Sequence, residues 1–488
     1  MQDILTWLNT PPLTNLADEL SSLHANLSSF RERTTTTEER TSALPLFFSR
    51  TMSAANALIP KLSSTSLPIP RKARQLVRTL QNLLHALATD FLNLQSQLQA
   101  EPSDDSQLLR TLALQNSLTA LGQHLAISDL VASPSGAGIW LQLHQTYEKA
   151  RQLDLENATS NSNSRSPQQI YYAAVLLGCA QPASFTSREV AFVAANLDLF
   201  ASQVELIDAT TTEAPEAFWI DPARDAPATA CARKPAPPGT LAYYFSCAKI
   251  AGTLRKQLSA IESDLPTPLI KPPEFARTNA GRGVLRRLIA NWGEPGKRRF
   301  SRRRQNDRAD LCVGLDSLWR LFQDETTANI ETSSWVITNR GRDGCAVMRR
   351  SGKADNATVG DLCAVHTDTE EKWKVCIIRW ALSENQEHLE LGLQILATDA
   401  VPAFLAQPNL GENPTGSHPS VLILPGTPPL RSSEMLVAPS GALESHSRNL
   451  ILIIEKENIG IREVRSTYLD EQNSQIEVFA IEPNETPS

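Results

Sequence analysis

A strongly basic stretch of the 488-residue chain holds the side chains best suited to bind a ligand. Between residues 282 and 308 it contains ten Arg or Lys residues against two acidic residues, and residues 297–304 read KRRFSRRR. A planar guanidinium can bind a phosphate through two hydrogen bonds and can stack on a nucleobase. The cluster therefore predicts a phosphorylated nucleotide as ligand. A solvated linker and a nucleic-acid patch are the alternatives.

A short turn downstream of the first β-rich run provides a second element, with the sequence NRGRDG over residues 339–344. An arginine pair followed by this turn resembles the PilZ family, whose signature is RxxxR and then [DN]xSxxG at the end of an adjacent strand. The resemblance implies a β-barrel that binds cyclic-di-GMP. It also implies that arginines clamp the phosphates and guanine faces, while the Asx side chain and the turn backbone meet a guanine edge.

The arginine pair can be placed in three registers. Arg298 and Arg302 match RxxxR best, because Phe300 then takes the aromatic position before the second arginine. The same spacing is also satisfied by two further pairs, Arg299 with Arg303 and Arg304 with Arg308.

The turn departs from the family pattern at one position. Asn339 matches the Asx position and Gly344 the final glycine, but Gly341 stands where the family has serine. Losing one neutral hydrogen bond costs about 0.5–1.5 kcal/mol, which Arg340 and Arg342 could offset through bonds to phosphate. The predicted ligand-binding residues are Arg298, Arg299, Arg302, Arg303, Asn339, Arg340, Gly341 and Gly344.

The resemblance extends over residues 295–405. Segments 359–362, 375–380 and 390–395 resemble the later strands of the same barrel, in the expected order. A helix-like insert over residues 315–322 lengthens the spacing between the two motifs and marks a divergent member.

The first half of the chain carries a different, helical period. Leucines recur at three- and four-residue steps, and residues 71–99 contain neither Gly nor Pro, which predicts one long amphipathic helix. Trp140, Leu143 and Tyr147 have the spacing of a tetratricopeptide helix, although the 34-residue period does not continue. A repeat-like helical domain and an irregular helical bundle both fit.

The predicted organisation is multidomain, α then β. It comprises a helical domain over residues 1–265, split near residue 130 if it has two subdomains, and a linker with a basic segment over residues 266–296. A PilZ-like β-barrel over residues 297–408 and a small β-domain over residues 418–483 follow.

Composition and missing motifs exclude several other functions. The net charge of −7 argues against a general nucleic-acid binder. There is no HExxH, Cys/His cluster, GxxxxGK[ST] loop or GxSxG elbow, so we expect no catalytic residues, metal or cofactor. No run of about 18 apolar residues and no signal peptide occur, which predicts a cytoplasmic protein without a membrane span.

The sequence thus predicts a bacterial cyclic-di-GMP effector that is not an enzyme. Ligand binding would order the arginine-rich segment and so change how the helical half binds a protein partner of unknown identity. Two alternatives stay open: a degenerate PilZ-like interaction module that binds no nucleotide, and an RNA or polyanion binder.

Overall fold

The computed structural model describes most of the chain. The described ranges are residues 2–100, 106–161, 164–208, 216–266, 269–296, 300–323, 330–351, 357–370, 372–385, 387–406, 418–428, 431–443, 449–455 and 459–484. A helical half comes first and two β-barrels follow, which confirms the predicted multidomain, α-then-β class. No helix within these ranges is both long and apolar enough to cross a membrane.

The helical half is built mainly from long amphipathic helices. Their bounds are α1 Gln2–Leu8, α2 Leu16–Arg31, α3 Thr37–Ser63, α4 Arg71–Ala100, α5 Ser106–Leu130, α6 Ile139–Gln152, α7 Pro167–Cys179, α8 Ser187–Ala201, α9 Ala248–Glu262, α10 Pro273–Ala276 and α11 Asn279–Gly293. The long helix predicted over residues 71–99 is α4, whose leucines bury one face. Capping boxes define where α3, α7 and α8 begin.

A small antiparallel sheet, which the sequence did not predict, lies between α8 and α9. Its strands are β1 Glu205–Ile207, β2 Ala217–Ile220, β3 Thr229–Ala230 and β4 Tyr243–Ser246, in the order β1-β4-β2-β3. Phe218 and Phe245 lie opposite each other on β2 and β4 and stack at 5.4 Å between ring centroids. Both rings are buried in the core of the helical half, so this sheet is part of that core.

The linker predicted over residues 266–296 is corrected by α10 and α11. Prolines follow the end of α9 in the sequence. A new helix nevertheless begins after them, because Thr278 caps α11 by accepting a hydrogen bond from the Gly281 amide at 3.1 Å. Val284, Leu288 and Trp292 then recur at helical spacing and join the core of the helical half. Trp292 is fully buried and donates its indole N–H to the Leu176 carbonyl at 3.2 Å. A proline interrupts a helix only locally, so it did not mark the end of the helical half.

Two closed six-stranded barrels follow the helices. The first consists of β5 Arg303–Val313, β6 Ser333–Arg340, β7 Gly344–Ser351, β8 Leu362–Thr367, β9 Lys374–Leu382 and β10 Glu390–Ala397. The second consists of β11 Val401–Ala406, β12 Ser420–Leu424, β13 Glu434–Pro439, β14 Asn449–Glu455, β15 Ile459–Gln472 and β16 Ile476–Pro483. Helix α12 (Leu315–Leu321) lies between β5 and β6, where the insert was predicted.

The two barrels have the same strand connectivity. In the first, β5 pairs with β6 and β8, while β7 and β9 both pair with β10. In the second, β11 pairs with β12 and β14, while β13 and β15 both pair with β16. The second β-domain is therefore a barrel of the same topology as the first. Its first strand, β11, lies inside the range of residues 297–408 that the sequence analysis assigned to the PilZ-like barrel. The boundary between the two barrels therefore falls at residues 398–400 and not after residue 408.

An apolar layer joins the outer faces of the two barrels. Residues of β8, β9, β12, β13 and β16 share one buried cluster with α12. Trp319 of α12 packs on Phe404 of β11 at 4.8 Å between ring centroids and donates its indole N–H to the Ala403 carbonyl at 2.9 Å. The insert between the two motifs thus holds the second barrel against the first.

The helical half contacts both barrels through polar groups. Buried Arg74 of α4 donates to the Ser383 and Glu384 carbonyls in the β9–β10 loop at 3.2 and 3.0 Å. Gly283 of α11 packs so closely on β15 that a Cβ there would lie 2.0 Å from the Gln472 carbonyl oxygen. The helical half therefore touches the first barrel at the β9–β10 loop and the second barrel at the end of β15.

His124 should contribute a loss of folding stability to the helical half in mild acid. Burial, followed by the nearby His85, lowers the pKa of His124 to about 4, and its Nδ1 has no hydrogen-bond partner among the described residues. The unfolded chain binds a proton near pH 6.5 but the folded one does not, so folding stability falls as pH drops from 6.5 toward 4.

This single histidine accounts for about 2 kcal/mol between pH 7 and pH 5. Urea unfolding followed by circular dichroism at 222 nm at both pH values measures the loss. We expect His124→Leu to show a smaller acid loss than the native chain by about that amount. Equal acid losses in the two proteins would contradict the assignment.

Candidate functional site

The two predicted motifs meet at one end of the first barrel. Strand β5 begins at Arg303, directly opposite Arg340 at the end of β6, and Arg304 lies opposite Asn339. The turn of residues 341–343 then leads into β7 at Gly344. Antiparallel pairing of β5 with β6 therefore brings the arginine-rich segment beside the Asn339–Gly344 turn, although some 35 residues separate them.

The Arg302 side chain lies beside the turn. A Cβ placed on Gly341 would lie 3.2 Å from the Arg302 Cγ, from the Ser301 carbonyl oxygen and from the Asp343 Oδ1. The place that a serine side chain would take in the family pattern is thus closely bordered by Arg302, Ser301 and Asp343. Arg298 and Arg299 lie outside the described residues, and Arg303 is exposed on β5.

The turn carries acceptor oxygens that have no donor. Both the Asn339 Oδ1 and the Asp343 Oδ1 are shielded from solvent and lack a hydrogen-bond partner among the described residues. A buried acceptor without a donor is unfavourable, and such groups in native proteins call for an explanation. A ligand that presents N–H groups to this end of the barrel would satisfy them. The role of Asn339 as a contact to a base edge stays a prediction.

Arg340 is already neutralised within the protein. It forms an ion pair with Glu370, which also pairs with Lys374 at the same end of the barrel. Although burial raises the pKa of Glu370, its bonds with Lys374 and Arg340 lower that pKa below the usual value overall. Arg340 is consequently less available for a phosphate than the sequence suggested, since Glu370 competes for its guanidinium.

The charges of this cluster surround a buried thiol. Burial raises the pKa of Cys345 to about 11, against the opposing effect of Arg340, Arg302 and Lys374. Cys345 lies opposite Arg340 in the β6–β7 pairing. The thiol is therefore a packed, protonated core group and not a nucleophile.

Arg342 and Phe300 add an exposed edge to the site. The Arg342 guanidinium lies 6.0 Å from the Phe300 ring centroid, within the range of a cation–π contact. Phe300 belongs to the segment that carries RxxxR, so this contact connects the segment to the turn. Arg342 itself is exposed and could reach a ligand from the solvent side.

Gly344 is required by the barrel itself. A Cβ on Gly344 would lie 2.0 Å from the carbonyl oxygen of Leu393 on β10. The Asp343 carbonyl accepts a hydrogen bond from the Ile395 amide at 2.9 Å, and the Gly341 amide donates to the Gly344 carbonyl at 2.8 Å. The final glycine thus lets β7 approach β10.

A polar chain that the sequence analysis missed runs from this turn to the second barrel. Gln394, opposite Gly344, accepts a hydrogen bond from the Arg379 Nε at 2.5 Å. The same guanidinium pairs with Glu471 of β15 at 2.5 Å. Burial raises the pKa of Glu471, but Arg379, Arg287 and Arg431 lower it below its usual range overall. Each residue lies on a different strand, so no local sequence signal could have found the chain.

Within the described part of the protein, no group of three or more His, Cys, Asp or Glu side chains could hold a metal ion. The site consists of guanidinium groups, amide and carboxylate acceptors and a glycine turn. Such groups bind an anionic nucleotide through charge and hydrogen bonds.

The first barrel thus has six strands and carries arginines beside an Asx–Gly turn. The chain matches the PilZ-domain cyclic-di-GMP receptor family in two regions. Residues 2–211 match the family described as "Cyclic-di-GMP receptor FimW, N-terminal domain", and residues 320–402 match "Cyclic-di-GMP receptor FimW, middle PilZ domain". Together the two matches cover more than half of the chain, and the family is one of receptors, not of enzymes.

A curated relative supports the same assignment. The chain is 23% identical over 324 residues to the cyclic-di-GMP receptor FimW of Pseudomonas aeruginosa PAO1. The matched region covers 65% of this chain and 52% of the relative, so the chain spans about half the length of that protein. No solved structure matches.

Proposed function

We propose that this protein binds cyclic-di-GMP at the end of the first barrel and acts as an effector that passes the signal to a protein partner. One observation carries the proposal. Arg302 lies beside a turn at which the side-chain oxygens Oδ1 of Asn339 and Asp343 accept no hydrogen bond from the described residues. The relative's name, a cyclic-di-GMP receptor, supports the choice of ligand.

The proposed binding mode assigns each group a chemical role. Arg302, with Arg298 or Arg299 from the preceding residues, would bind the phosphates and stack on a guanine. The Asn339 Oδ1 would accept a hydrogen bond from a guanine N–H. Arg303 and Arg342 are exposed and would add charge around the phosphates, whereas Arg340 would mainly hold Glu370 in place.

Binding would reach the rest of the protein by two routes. The arginine-rich segment connects α11 with β5, so closing it over a ligand would change the link between the helical half and the barrel. The turn also connects through Gln394 and Arg379 to Glu471 in the second barrel. The helical half would present the surface for the protein partner.

A non-binding interaction module is the second candidate. Gly341 removes the serine hydroxyl, and the ion pair of Arg340 with Glu370 removes one free guanidinium from the site. Both features are expected of a barrel that has lost its ligand. Binding of RNA or another polyanion through the exposed arginines is the third candidate.

Calorimetric titration separates the three functions. A receptor binds cyclic-di-GMP with one saturable enthalpy change and does not bind GTP comparably. A degenerate module gives no heat with either nucleotide, which would overturn the proposal. A polyanion binder loses affinity steeply between 50 and 200 mM salt and shows little preference for the cyclic dinucleotide.

The connection to the second barrel makes a separate prediction for Arg379→Ala. We expect the variant to retain cyclic-di-GMP affinity within about threefold, because Arg379 contacts no proposed ligand group. Hydrogen exchange in β15 should slow on ligand addition in the native chain but not in Arg379→Ala. The two readouts together separate binding from transmission.

Arg462→Ala is the matched control for that measurement. Arg462 forms an ion pair with Glu434, and both residues lie on strands of the second barrel. The Arg462 side chain is 33% exposed, compared with 31% for the Arg379 side chain. This control should keep the ligand-dependent change in β15. A normal response in Arg379→Ala would show that the signal does not pass through Glu471.

A further inference from the structure

We propose that Asp343 selects guanine over adenine at this site by accepting hydrogen bonds from the base edge. Asp343 occupies a variable position of the RxxxR and [DN]xSxxG pattern, so the family signature does not assign it a role. The inference rests on the proposed cyclic-di-GMP binding and specifies how the base is read.

The position of the carboxylate carries the argument. Its Oδ1 lies 3.2 Å from the place where a side chain on Gly341 would begin, the same distance as the Arg302 Cγ. The carboxylate and the proposed phosphate-binding arginine thus both lie beside Gly341. A ligand held by Arg302 would therefore lie close to the Asp343 side chain.

The carboxylate also lacks an internal partner. Its Oδ1 is shielded from solvent but accepts no hydrogen bond, and Asp343 forms no ion pair among the described residues. The carbonyl of the same residue accepts a hydrogen bond from the Ile395 amide at 2.9 Å, and the Gly341 amide donates to the Gly344 carbonyl at 2.8 Å. The turn is therefore held by main-chain bonds, and the side chain is free to serve a ligand.

The chemistry of the two purines decides which base fits. The Watson–Crick edge of guanine presents two adjacent donors, N1–H and N2–H, which one carboxylate can accept together. Adenine presents a donor at N6 but an acceptor at N1, which a carboxylate repels. A site with an unpartnered carboxylate therefore favours cyclic-di-GMP over cyclic-di-AMP.

Gly341 explains why an aspartate can take this role here. A serine at residue 341 would place its hydroxyl within reach of the Asp343 Oδ1 and would donate to it. The glycine leaves the carboxylate unoccupied. The departure from the family pattern is thus linked to a second residue that provides the polar contact.

Asp343→Asn gives the sharpest test, because the amide keeps the shape but replaces one acceptor by a donor. The side-chain oxygen of the new asparagine can accept from the N6–H of adenine, and its NH2 group can donate to N1. The preference of the site should therefore move from cyclic-di-GMP toward cyclic-di-AMP. Calorimetry measures the dissociation constant of each dinucleotide. We expect the ratio of the constant for cyclic-di-AMP to that for cyclic-di-GMP to fall by about tenfold or more relative to the native chain. Asp310→Asn, an exposed change on β5 of the same barrel, should leave the ratio unchanged.

A rescue experiment separates ligand contact from turn stability. Asp343→Ala should weaken cyclic-di-GMP binding, and adding Gly341→Ser should recover part of the affinity by restoring the family hydroxyl. A native ratio in Asp343→Asn, or equal losses for both dinucleotides, would overturn the role of Asp343 while leaving the proposed function intact. Failure of the native chain to bind either dinucleotide would overturn both.

Discussion

Replacing Arg298 and Arg302 together by alanine should lower the affinity for cyclic-di-GMP by about a hundredfold or more. Each guanidinium can make charge-assisted hydrogen bonds to phosphate worth about 1.5–3 kcal/mol, so the pair contributes at least about 3 kcal/mol. Arg302 is half-buried beside Gly341, so its loss removes a positioned group. Calorimetric titration measures the effect directly.

The other registers provide matched controls. Arg304→Ala with Arg308→Ala removes the same charge at the same spacing, but both arginines are exposed on β5. We expect this pair to change affinity by less than about fivefold, through general electrostatics alone. The Arg299 and Arg303 pair tests the remaining register. An unchanged affinity in the Arg298 and Arg302 variant, with an intact fold, would refute the assignment of the site.

Gly344→Ala should destabilise the first barrel by about 3 kcal/mol and abolish ligand binding with it. The new methyl group would lie 2.0 Å from the Leu393 carbonyl oxygen, and this oxygen belongs to the backbone of β10. It cannot move aside without breaking the β7–β10 pairing. Hydrogen exchange in peptides from β7 and β10 should accelerate well beyond that in the helical half.

Gly341→Ala controls for the loss of a glycine from the same turn. Its nearest neighbours are 3.2 Å away, and two of the three are side-chain atoms that can shift. We expect a change in the free energy of unfolding of less than about 1 kcal/mol. If Gly344→Ala proved equally mild, the close approach of β7 to β10 would not be a requirement of the barrel.

The shared topology of the two barrels gives the second one a structural role. Its first strand follows β10 after only Thr398, Asp399 and Ala400, so the basic segment that precedes β5 has no counterpart before β11. It contacts the first barrel through polar groups as well, as in the hydrogen bond from the Asn473 side-chain amide to the Gly360 carbonyl at 2.8 Å. The second barrel therefore braces the first and is placed to respond to it.

Local features of the sequence predicted the architecture well. The helical period of α4, the alternation of the β-strands and the glycine turn at residues 339–344 each depend on neighbouring residues, so they could be read without a structure. The same holds for the insert that became α12. The linker at residues 266–296 was predicted wrongly because its prolines are local signals, whereas the burial of Trp292 is not.

Chemistry at the site was decided by contacts between distant residues. The charge of Arg340 and the identity of Gly341 were plain in the sequence, but the pairing of Arg340 with Glu370 was not, since 30 residues separate them. The donor-free oxygen of Asp343 emerged only when β7 and β10 closed the barrel and shielded it from water. Residue types set which groups could bind a nucleotide, and tertiary pairing decided which of them remain free to do so, because a charge that is neutralised internally cannot also serve a ligand.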